Sequence, residues 1–458
     1  MGLLLVATLG ALGSFFLLMP VTPLYVAAGG AGAGGAGLVT GVTMLGTVLA
    51  EFAAAAMIRR RGYRWAMALG VLLLGAPSIP LAVSSFLPTV LGACLARGAG
   101  LGIVVVAGAA LAAELSPPGR RGEGLGLLGV AAGVPSVIVM PLGLWLQSQF
   151  GYPLVFGVGA ALALVTLPAV AGFPGRVGAG AAGRAADPAQ DQPQKRGVAS
   201  PEAPAPAAHG ATAPAAHGVT APAAGGGTGR LLDALASGGL MRPAIIFAAV
   251  TLAAGVLFTF LPLAVSAGSS QVAALALFVQ SSVTPLARWL AGRHGDRRGS
   301  TGLLIPAILT AALGTAGLVW VEHPVVAVLA MALFGVGFGI AQNATLALMF
   351  ERAGASDHAR ISALWNLAYD GGMGAGAVGF GWLAGVVGYP IGFAITGAVL
   401  LTALIPACLD LGRPVVGRRE GQRGSEPPSS AGPQEAPGRR RELPASRAGS
   451  RRDGDGPS

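Results

Sequence analysis

Charged side chains are scarce in this sequence. Asp, Glu, Lys and Arg make up 10% of its 458 residues, against roughly 25% in an ordinary soluble domain. A soluble globule could not cover its surface with so few charges, which excludes most soluble enzymes. A mean hydropathy of +0.69 also excludes disorder as the main state of the chain. The composition instead indicates a protein whose surface is largely in contact with lipid.

Cysteine is also nearly absent. Cys94 and Cys408 fall inside apolar segments and form neither a disulfide framework nor a metal-binding pattern. Two glycine runs, at 98–102 and 335–339, could be mistaken for phosphate loops, but no strand precedes them and no Walker lysine follows, which favours helix packing. The sequence contains no ATP-binding motif and no Ser/His/Asp set. We therefore expect no cofactor, no metal and no enzymatic activity, and we expect any active transport to use an ion gradient.

The chain is instead filled with apolar runs long enough to cross a bilayer, which takes about 20 residues as a helix. Breaks at Gly, Pro and charged residues divide these runs into six plus six predicted transmembrane helices. The first six are Leu3–Val26, Gly37–Ile58, Trp65–Leu87, Thr89–Leu115, Gly124–Leu146 and Pro153–Phe173. The second six are Ala244–Ala267, Gln271–Leu290, Leu303–Val321, Pro324–Phe350, Ile361–Val386 and Pro390–Leu411. The sequence therefore predicts an all-α membrane protein.

The basic residues alternate along the predicted helices. Every second loop is basic, and the loops between them contain no Lys or Arg. Because cytoplasmic loops carry the excess of Lys and Arg, both termini are expected in the cytoplasm. We expect a multi-pass protein of the cell inner (plasma) membrane. The net charge of +10 is then a topology signal, and no nucleic-acid partner is expected.

Changes in composition divide the chain into four parts. Residues 1–173 and 230–411 contain the two groups of predicted helices. Residues 174–229 form a linker rich in Ala, Pro and Gly, and residues 412–458 form an Arg-rich tail. Because linker and tail have too few large apolar residues to bury a core, we expect both to be disordered in the cytoplasm.

The two helical parts repeat each other at an offset of 237 residues. Trp145-Leu146 corresponds to Trp382-Leu383, and Gly151-Tyr152-Pro153 corresponds to Gly388-Tyr389-Pro390. These matches carry weight because the chain has only 6 Trp and 5 Tyr. A parallel duplication of six helices, with the substrate held between the halves, is an arrangement found in secondary transporters.

The loop after the eighth predicted helix carries the most specific motif. Residues 292–299, Gly-Arg-His-Gly-Asp-Arg-Arg-Gly, match the G-x-x-x-D-R-x-G loop of the major facilitator superfamily. The equivalent residues 55–62 keep the final glycine but have Ala55 and Arg59 in place of Gly and Asp. The motif glycines of the two loops are Gly62, Gly292 and Gly299.

The chain thus resembles the major facilitator superfamily. The resemblance implies two pseudo-symmetric six-helix bundles, alternating access and a small-molecule substrate, and we expect a monomer in the lipid bilayer. In the fifth predicted helix, Gly133-Val134-Pro135 and Met140-Pro141-Leu142-Gly143 resemble the Gly-Pro motif of the drug/proton antiporters. This second resemblance implies efflux by antiport, with protons as the coupling ion.

Several charges are exchanged for opposite charges at the offset of 237. In the superfamily the second helix packs near the eleventh and the fifth near the eighth, which would bring these charges together at the cytoplasmic side. The predicted pairs are Glu51 with Arg360, Arg59 with Asp357, Arg288 with Glu123, and Asp296 with Arg120, and Arg297 of the loop motif lies beside them. We interpret them as a cytoplasmic gate that is closed in the outward-facing state. The alternative is a set of positive-inside charges beside incidental acids.

Two ionisable residues stand alone in predicted helices. Arg97 lies about eight residues into the fourth helix, and Asp370 lies in the eleventh, with Asn366 one turn earlier on the same face. Charges inside the bilayer are costly and often functional, so we assign these residues to proton or substrate coupling. The alternatives are an arginine bonded to neighbouring carbonyls and a carboxylate that holds a helix interface.

Polar residues on two further helices are candidate substrate contacts, with interhelical hydrogen bonding as the alternative. They are Gln280 on the eighth helix and Gln342 and Asn343 on the tenth. The sequence therefore predicts a secondary transporter that works by alternating access, with proton-coupled efflux of a small organic compound. The alternatives are an importer or uniporter of a small metabolite and a non-transporting membrane sensor or scaffold.

Overall fold

The apolar segments form helices, because a backbone surrounded by lipid can satisfy its N–H and C=O groups only in helices or closed barrels. The computed structural model describes residues 1–117, 121–173, 238–265, 270–352 and 358–411. The first half contains α1 (Gly2–Leu18), α2 (Val21–Val26), α3 (Gly32–Arg61), α4 (Tyr63–Gly75), α5 (Ser78–Leu81), α6 (Leu87–Leu115), α7 (Arg121–Phe150), α8 (Tyr152–Leu164) and α9 (Leu167–Ala171). The second half contains α10 (Gly238–Ala264), α11 (Ser270–Arg298), α12 (Leu304–Gly317), α13 (Pro324–Glu351), α14 (His358–Val387), α15 (Tyr389–Leu401) and α16 (Leu404–Leu411). The predicted linker and tail lie outside the described residues.

Nine helical stretches of the described residues are long and apolar enough to cross a membrane. The first runs from Gly2 to Arg61 and covers both of the first two predicted spans. Helices α11 and α14, at the eighth and eleventh predicted spans, are not among the nine. Polar, charged and glycine residues lower their hydropathy. Each predicted span coincides with one or two helices, while the number twelve stays a prediction.

Glycines with positive φ end helices at equivalent points of the two halves. Gly62 and Gly299 have φ of 86° and 87°, and Gly151 and Gly388 have φ of 79° and 76°. Only glycine adopts this region without strain. Both pairs are separated by 237 residues, so the backbone repeats the duplication that the sequence indicates.

The motif loop at 292–299 is not a loop over most of its length. Helix α11 continues through Arg298, eight residues beyond the predicted end at Leu290, and includes Gly292, Asp296 and Arg297. The chain turns only at Gly299. The boundary was predicted too early because a run of exposed charged residues at a helix end resembles a loop in composition.

Helices within each half pack closely through glycines. A Cβ on Gly335 would lie 2.9 Å from the carbonyl oxygen of Gln280 on α11, and a Cβ on Gly337 would lie 2.6 Å from that of Ala307 on α12. Gly98 contacts the Thr43 carbonyl of α3 in the equivalent way. The glycine runs are therefore helix-packing surfaces, as the sequence favours.

The two halves meet along two helix pairs. Helix α3 packs against α14, and α7 packs against α11. These are the contacts of the second helix with the eleventh and of the fifth with the eighth that the gate hypothesis requires. A hydrogen bond of 2.8 Å between the hydroxyls of Thr40 on α3 and Thr259 on α10 also joins the halves.

Candidate functional site

A central pocket lies where the two halves meet. Helices α1 and α7 from the first half and α10, α11, α13 and α14 from the second half line it. Its volume is about 60 Å³, enough for a few water molecules. Its lining includes Phe16, Ser136, Phe258, Gln280, Thr284, Arg288, Phe338, Gln342 and Tyr369.

One polar strip in this pocket comes from α11. Gln280, Thr284 and Arg288 are spaced four residues apart and therefore share a helix face. The side-chain amide of Gln280 donates to the Thr284 hydroxyl at 3.0 Å, and Thr284 is also 3.2 Å from the carbonyl oxygen of Gly335 on α13. Thr284 thus fixes the amide of Gln280 at the pocket wall.

Arg288 brings a buried positive charge to the pocket. Its side chain is 8% exposed, and its guanidinium donates to the Oε1 atom of Gln342 on α13 at 3.1 Å. An intramembrane arginine is costly unless hydrogen bonds satisfy it, and it is a candidate functional group by default. The sequence assigned Arg288 to the gate, whereas the structure places it in the pocket with Gln280 and Gln342. The spacing 280, 284, 288 was a signal that could have indicated this.

Aromatic rings form much of the apolar lining. Phe258, Phe338 and Tyr369 line the pocket, with ring centroids 6.3 Å apart both between Phe258 and Phe338 and between Phe338 and Tyr369. Behind them, Trp365 stacks on Phe247 at 4.3 Å. Single aromatic residues in apolar helices give no sequence signal of their own, so this lining was not predicted.

Arg97 lies outside the central pocket, within the first half. It is 4% exposed, and its guanidinium donates to the Ser14 carbonyl at 3.0 Å, to the Leu74 carbonyl and to the Ser78 hydroxyl. Helix α6 is thereby connected to α1, α4 and α5. These contacts correspond to the structural alternative for Arg97, while its part in coupling stays a prediction.

Asp370 lies next to Tyr369 but lines a different cavity. It is 3% exposed, and its Oδ1 atom has no hydrogen-bond partner among the described residues. Glu51 is partly buried on α3, three residues beyond Val48, which lines the same cavity as Asp370. Asn366, one turn away, is 7% exposed. Glu51 and Asp370, which the sequence assigned to different sites, thus lie on two helices that pack against each other.

The remaining gate residues lie at one end of the paired helices. Arg59, Asp296 and Arg297 are exposed in the last turns of α3 and α11, Glu123 is exposed in the first turn of α7, and Arg360 is partly buried in the first turn of α14. Arg120 and Asp357 lie outside the described residues. The four ion pairs stay predictions.

The remaining candidate positions are Asn343 and the three motif glycines. Asn343 is partly buried and does not line the central pocket, unlike its neighbour Gln342. Gly62 and Gly299 make the turns described above, and Gly292 is buried in α11.

The sequence did not predict a buried ion-pair cluster in the second half. Asp410 on α16 is 1% exposed and contacts Arg242 of α10 at 3.3 Å and Arg352 at the end of α13 at 3.0 Å. Its position near the end of an apolar segment made it look like a flanking charge. The spacing between the three residues, 58 to 168 positions, gives no local signal.

Comparisons with known proteins identify the fold. The family model described as the Major Facilitator Superfamily matches residues 4–377. A comparison with curated proteins finds no match.

Solved transporter structures share this architecture. The inward-open xylose transporter XylE from E. coli has a TM-score of 0.64 at 15% identity, covering 88% of this chain and 95% of its own. The nucleoside transporter NupG has a TM-score of 0.62 at 14% identity, covering 90% and 100%. The human organic anion transporter MFSD10 (TETRAN) has a TM-score of 0.56 at 16% identity, covering 89% and 98%. At these identities the similarity shows the fold alone.

Proposed function

Because the chain belongs to the Major Facilitator Superfamily, we propose that it is a secondary active transporter that exports a small organic compound in exchange for protons. The observation that carries this proposal is the central pocket. Both halves line it, as alternating access requires, because a substrate held between two repeats becomes exposed to either side when they rock.

The lining of the pocket supports an amphipathic substrate. Phe258, Phe338 and Tyr369 offer an apolar aromatic surface, while Gln280 and Arg288 offer polar contacts on one side. Pockets for small molecules commonly combine a mostly apolar lining with a few placed polar groups. At about 60 Å³ the pocket is too small for such a compound and must enlarge to admit one.

Export is the proposed direction of transport because of a segment in α7. This segment, with Pro135 and Pro141, resembles the drug/proton antiporter motif and contributes Gly133, Ser136 and Met140 to the pocket. The alternative function is uptake of a small metabolite; a D-xylose-proton symporter has the same fold, with a TM-score of 0.62 at 17% identity. Asp370 is the proposed coupling carboxylate in either case, because it is buried beside Tyr369 of the pocket.

Everted membrane vesicles test the proposal. We expect at least one compound of an amphipathic panel to accumulate in vesicles carrying the protein, only while the lumen is acidified, and to leave when the proton gradient is collapsed. Accumulation in whole cells but not in everted vesicles would establish import instead.

The coupling residue is tested in the same vesicles. Asp370→Asn should remove the dependence on the proton gradient, and Glu322→Gln, an exposed carboxylate outside both cavities, should leave it unchanged. Transport of no compound in either direction would contradict the transporter assignment, and unchanged pH dependence in Asp370→Asn would remove that residue as the coupling site.

A further inference from the structure

A second cavity, the α3–α14 crevice, opens on the outer surface of the helix assembly. It has a volume of about 470 Å³ and is lined by residues of α3 and α14. Its apolar walls include Leu45 and Val48 on one side and Leu367 and Val378 on the other. Leu45 and Val378 are 52% and 41% exposed. In a membrane-spanning protein such exposed apolar residues face lipid, so the crevice opens toward the bilayer.

The α3–α14 crevice has a defined closed end. There α3 and α14 come into contact through small residues: Gly37 contacts the Ala377 carbonyl, and a Cβ on Gly381 would lie 3.3 Å from the Cα atom of Gly37. The helices also stay close along the crevice, where a Cβ on Gly374 would lie 3.0 Å from the Cβ atom of Met44. The crevice therefore runs along the lipid-facing side of a packed contact between the two halves.

One charged side chain lies in this apolar crevice. Asp370 lines it, is 3% exposed, and has an Oδ1 atom without a hydrogen-bond partner among the described residues. An unpaired carboxylate in such surroundings is costly. A cation bound in the crevice would supply the missing partner.

We propose that the α3–α14 crevice binds a lipophilic monovalent cation that enters from the bilayer, with its apolar body between the two helices and its charge beside Asp370. The volume is within the range of small-molecule sites, roughly 300–1,000 Å³. A lipid acyl chain would fill the apolar walls but leave the carboxylate without a partner. A divalent metal ion would need about six oxygen ligands, and no group of three or more candidate metal ligands occurs among the described residues.

The α3–α14 crevice is distinct from the central pocket, although adjacent residues of α14 line the two cavities. Tyr369 lines the pocket, which contains the positive Arg288, and Asp370 lines the crevice. Because α3 and α14 belong to different halves, a bound cation would contact both moving parts. The crevice thus offers a regulatory position as well as a binding site.

Binding to the purified full-length protein in nanodiscs tests the inference without any transport step. Tritiated tetraphenylphosphonium is the cationic probe, and tetraphenylborate, an anion of the same shape, is the competitor for charge selectivity. We expect saturable binding of the cation that unlabelled cation displaces and the anion does not. Absence of saturable binding, or equal displacement by the anion, would overturn the site while leaving transport through the central pocket untouched.

Matched variants locate the probe. Asp370→Asn should raise Kd for tetraphenylphosphonium by at least roughly tenfold, and Glu322→Gln should not change it. Leu45→Trp should block the crevice, whereas Leu49→Trp, one turn away on α3 and not lining it, should bind normally. Monodisperse elution of each variant shows that it has folded. Wild-type affinity in both Asp370→Asn and Leu45→Trp would place the cation elsewhere and overturn the proposal.

Discussion

At the scale of single residues, the cost of a charge in the membrane was the most informative signal in the sequence. It identified Arg97 and Asp370 as exceptional, and both are almost fully buried. Their partners were not predictable. Ser14 and Ser78 contact Arg97 from 83 and 19 positions away, and only the packing of the helices brings them together.

The contacts of Arg288 were likewise not predictable from the sequence. The pseudo-symmetry related it to Glu51, and its position near a basic helix end suggested a gate. The structure adds the contact with Gln342, and this contact depends on how α11 packs against α13. Sequence spacing could place Arg288 with Gln280 on one helix face, but it could not show that this face turns toward the centre.

The central pocket can be tested through Arg288. Arg288→Lys keeps the positive charge but loses the planar fork that bonds to Gln342. We expect KM for the transported compound to rise by about tenfold or more, since a hydrogen bond from a charged group contributes roughly 1.5–3 kcal/mol. Initial transport rates over a range of concentrations check this. Arg298→Lys, exposed on the same helix, is the control, and an unchanged KM for Arg288→Lys would remove this residue from the substrate site.

The Asp410 cluster can be tested through stability. Asp410→Asn leaves Arg242 and Arg352 without their shared carboxylate. Loss of one member of a buried ion pair costs about 3–5 kcal/mol, and because both arginines are partly exposed we expect roughly 3 kcal/mol. The apparent Tm in detergent should fall clearly, while Asp296→Asn, at an exposed position, should leave it within error. Equal Tm values for the two variants would show that the cluster adds no stability.

At the scale of helices, apolar length and the Gly, Pro and charge breaks predicted where helices lie. They did not predict the interruptions inside single spans. The third predicted span, Trp65–Leu87, is divided into α4 and α5. Pro77 lies at this division and Pro80 lies within the short α5, and each proline lacks a backbone donor. The end of α11 was missed for a different reason: its last two turns are exposed, so no hydrophobic pattern continues through them.

Helix contacts through glycine give a prediction at this scale. Gly337→Ala places a Cβ 2.6 Å from the Ala307 carbonyl and 2.7 Å from the Thr310 hydroxyl, so α12 and α13 must move apart. Overpacking of this kind typically costs about 1–3 kcal/mol. The apparent Tm should fall, whereas Gly379→Ala on α14, which meets no atom within 4 Å, should keep the wild-type Tm. A Tm for Gly337→Ala at or above that of Gly379→Ala would contradict the close packing.

At the scale of the whole molecule, the repeat was the part that the sequence predicted best. The offset of 237 residues reappears in the helix-ending glycines. It also reappears in a pair of side-chain contacts: Tyr63 bonds to Glu114 at 2.5 Å, and Ser300, its counterpart, bonds to Glu351 at 3.5 Å. Duplication thus preserved this contact, with the glutamate kept and its partner changed from Tyr63 to Ser300. The pockets between the halves could not be predicted in this way, because their linings differ between the two repeats.

The proposed gate depends on the same repeat, and charge reversal tests it. Arg59 is exposed at the end of α3, which packs against α14, and its predicted partner Asp357 precedes α14. Arg59→Asp would place two acids at this contact, and we expect the initial transport rate to fall a fewfold, since an exposed ion pair contributes about 0–1 kcal/mol. The matched control is Arg64→Asp, an exposed arginine on α4 with no predicted partner, which should transport normally.

Rescue separates a specific pair from a general need for positive charge at this surface. Adding Asp357→Arg to Arg59→Asp restores opposite charges with their positions exchanged, as the two halves already do at the offset of 237. We therefore expect the double variant to recover part of the lost rate, while Asp357→Arg alone is impaired because it faces Arg59. If the two single losses simply add in the double variant, the residues act independently, and the basic end of α3 serves membrane topology rather than a gate.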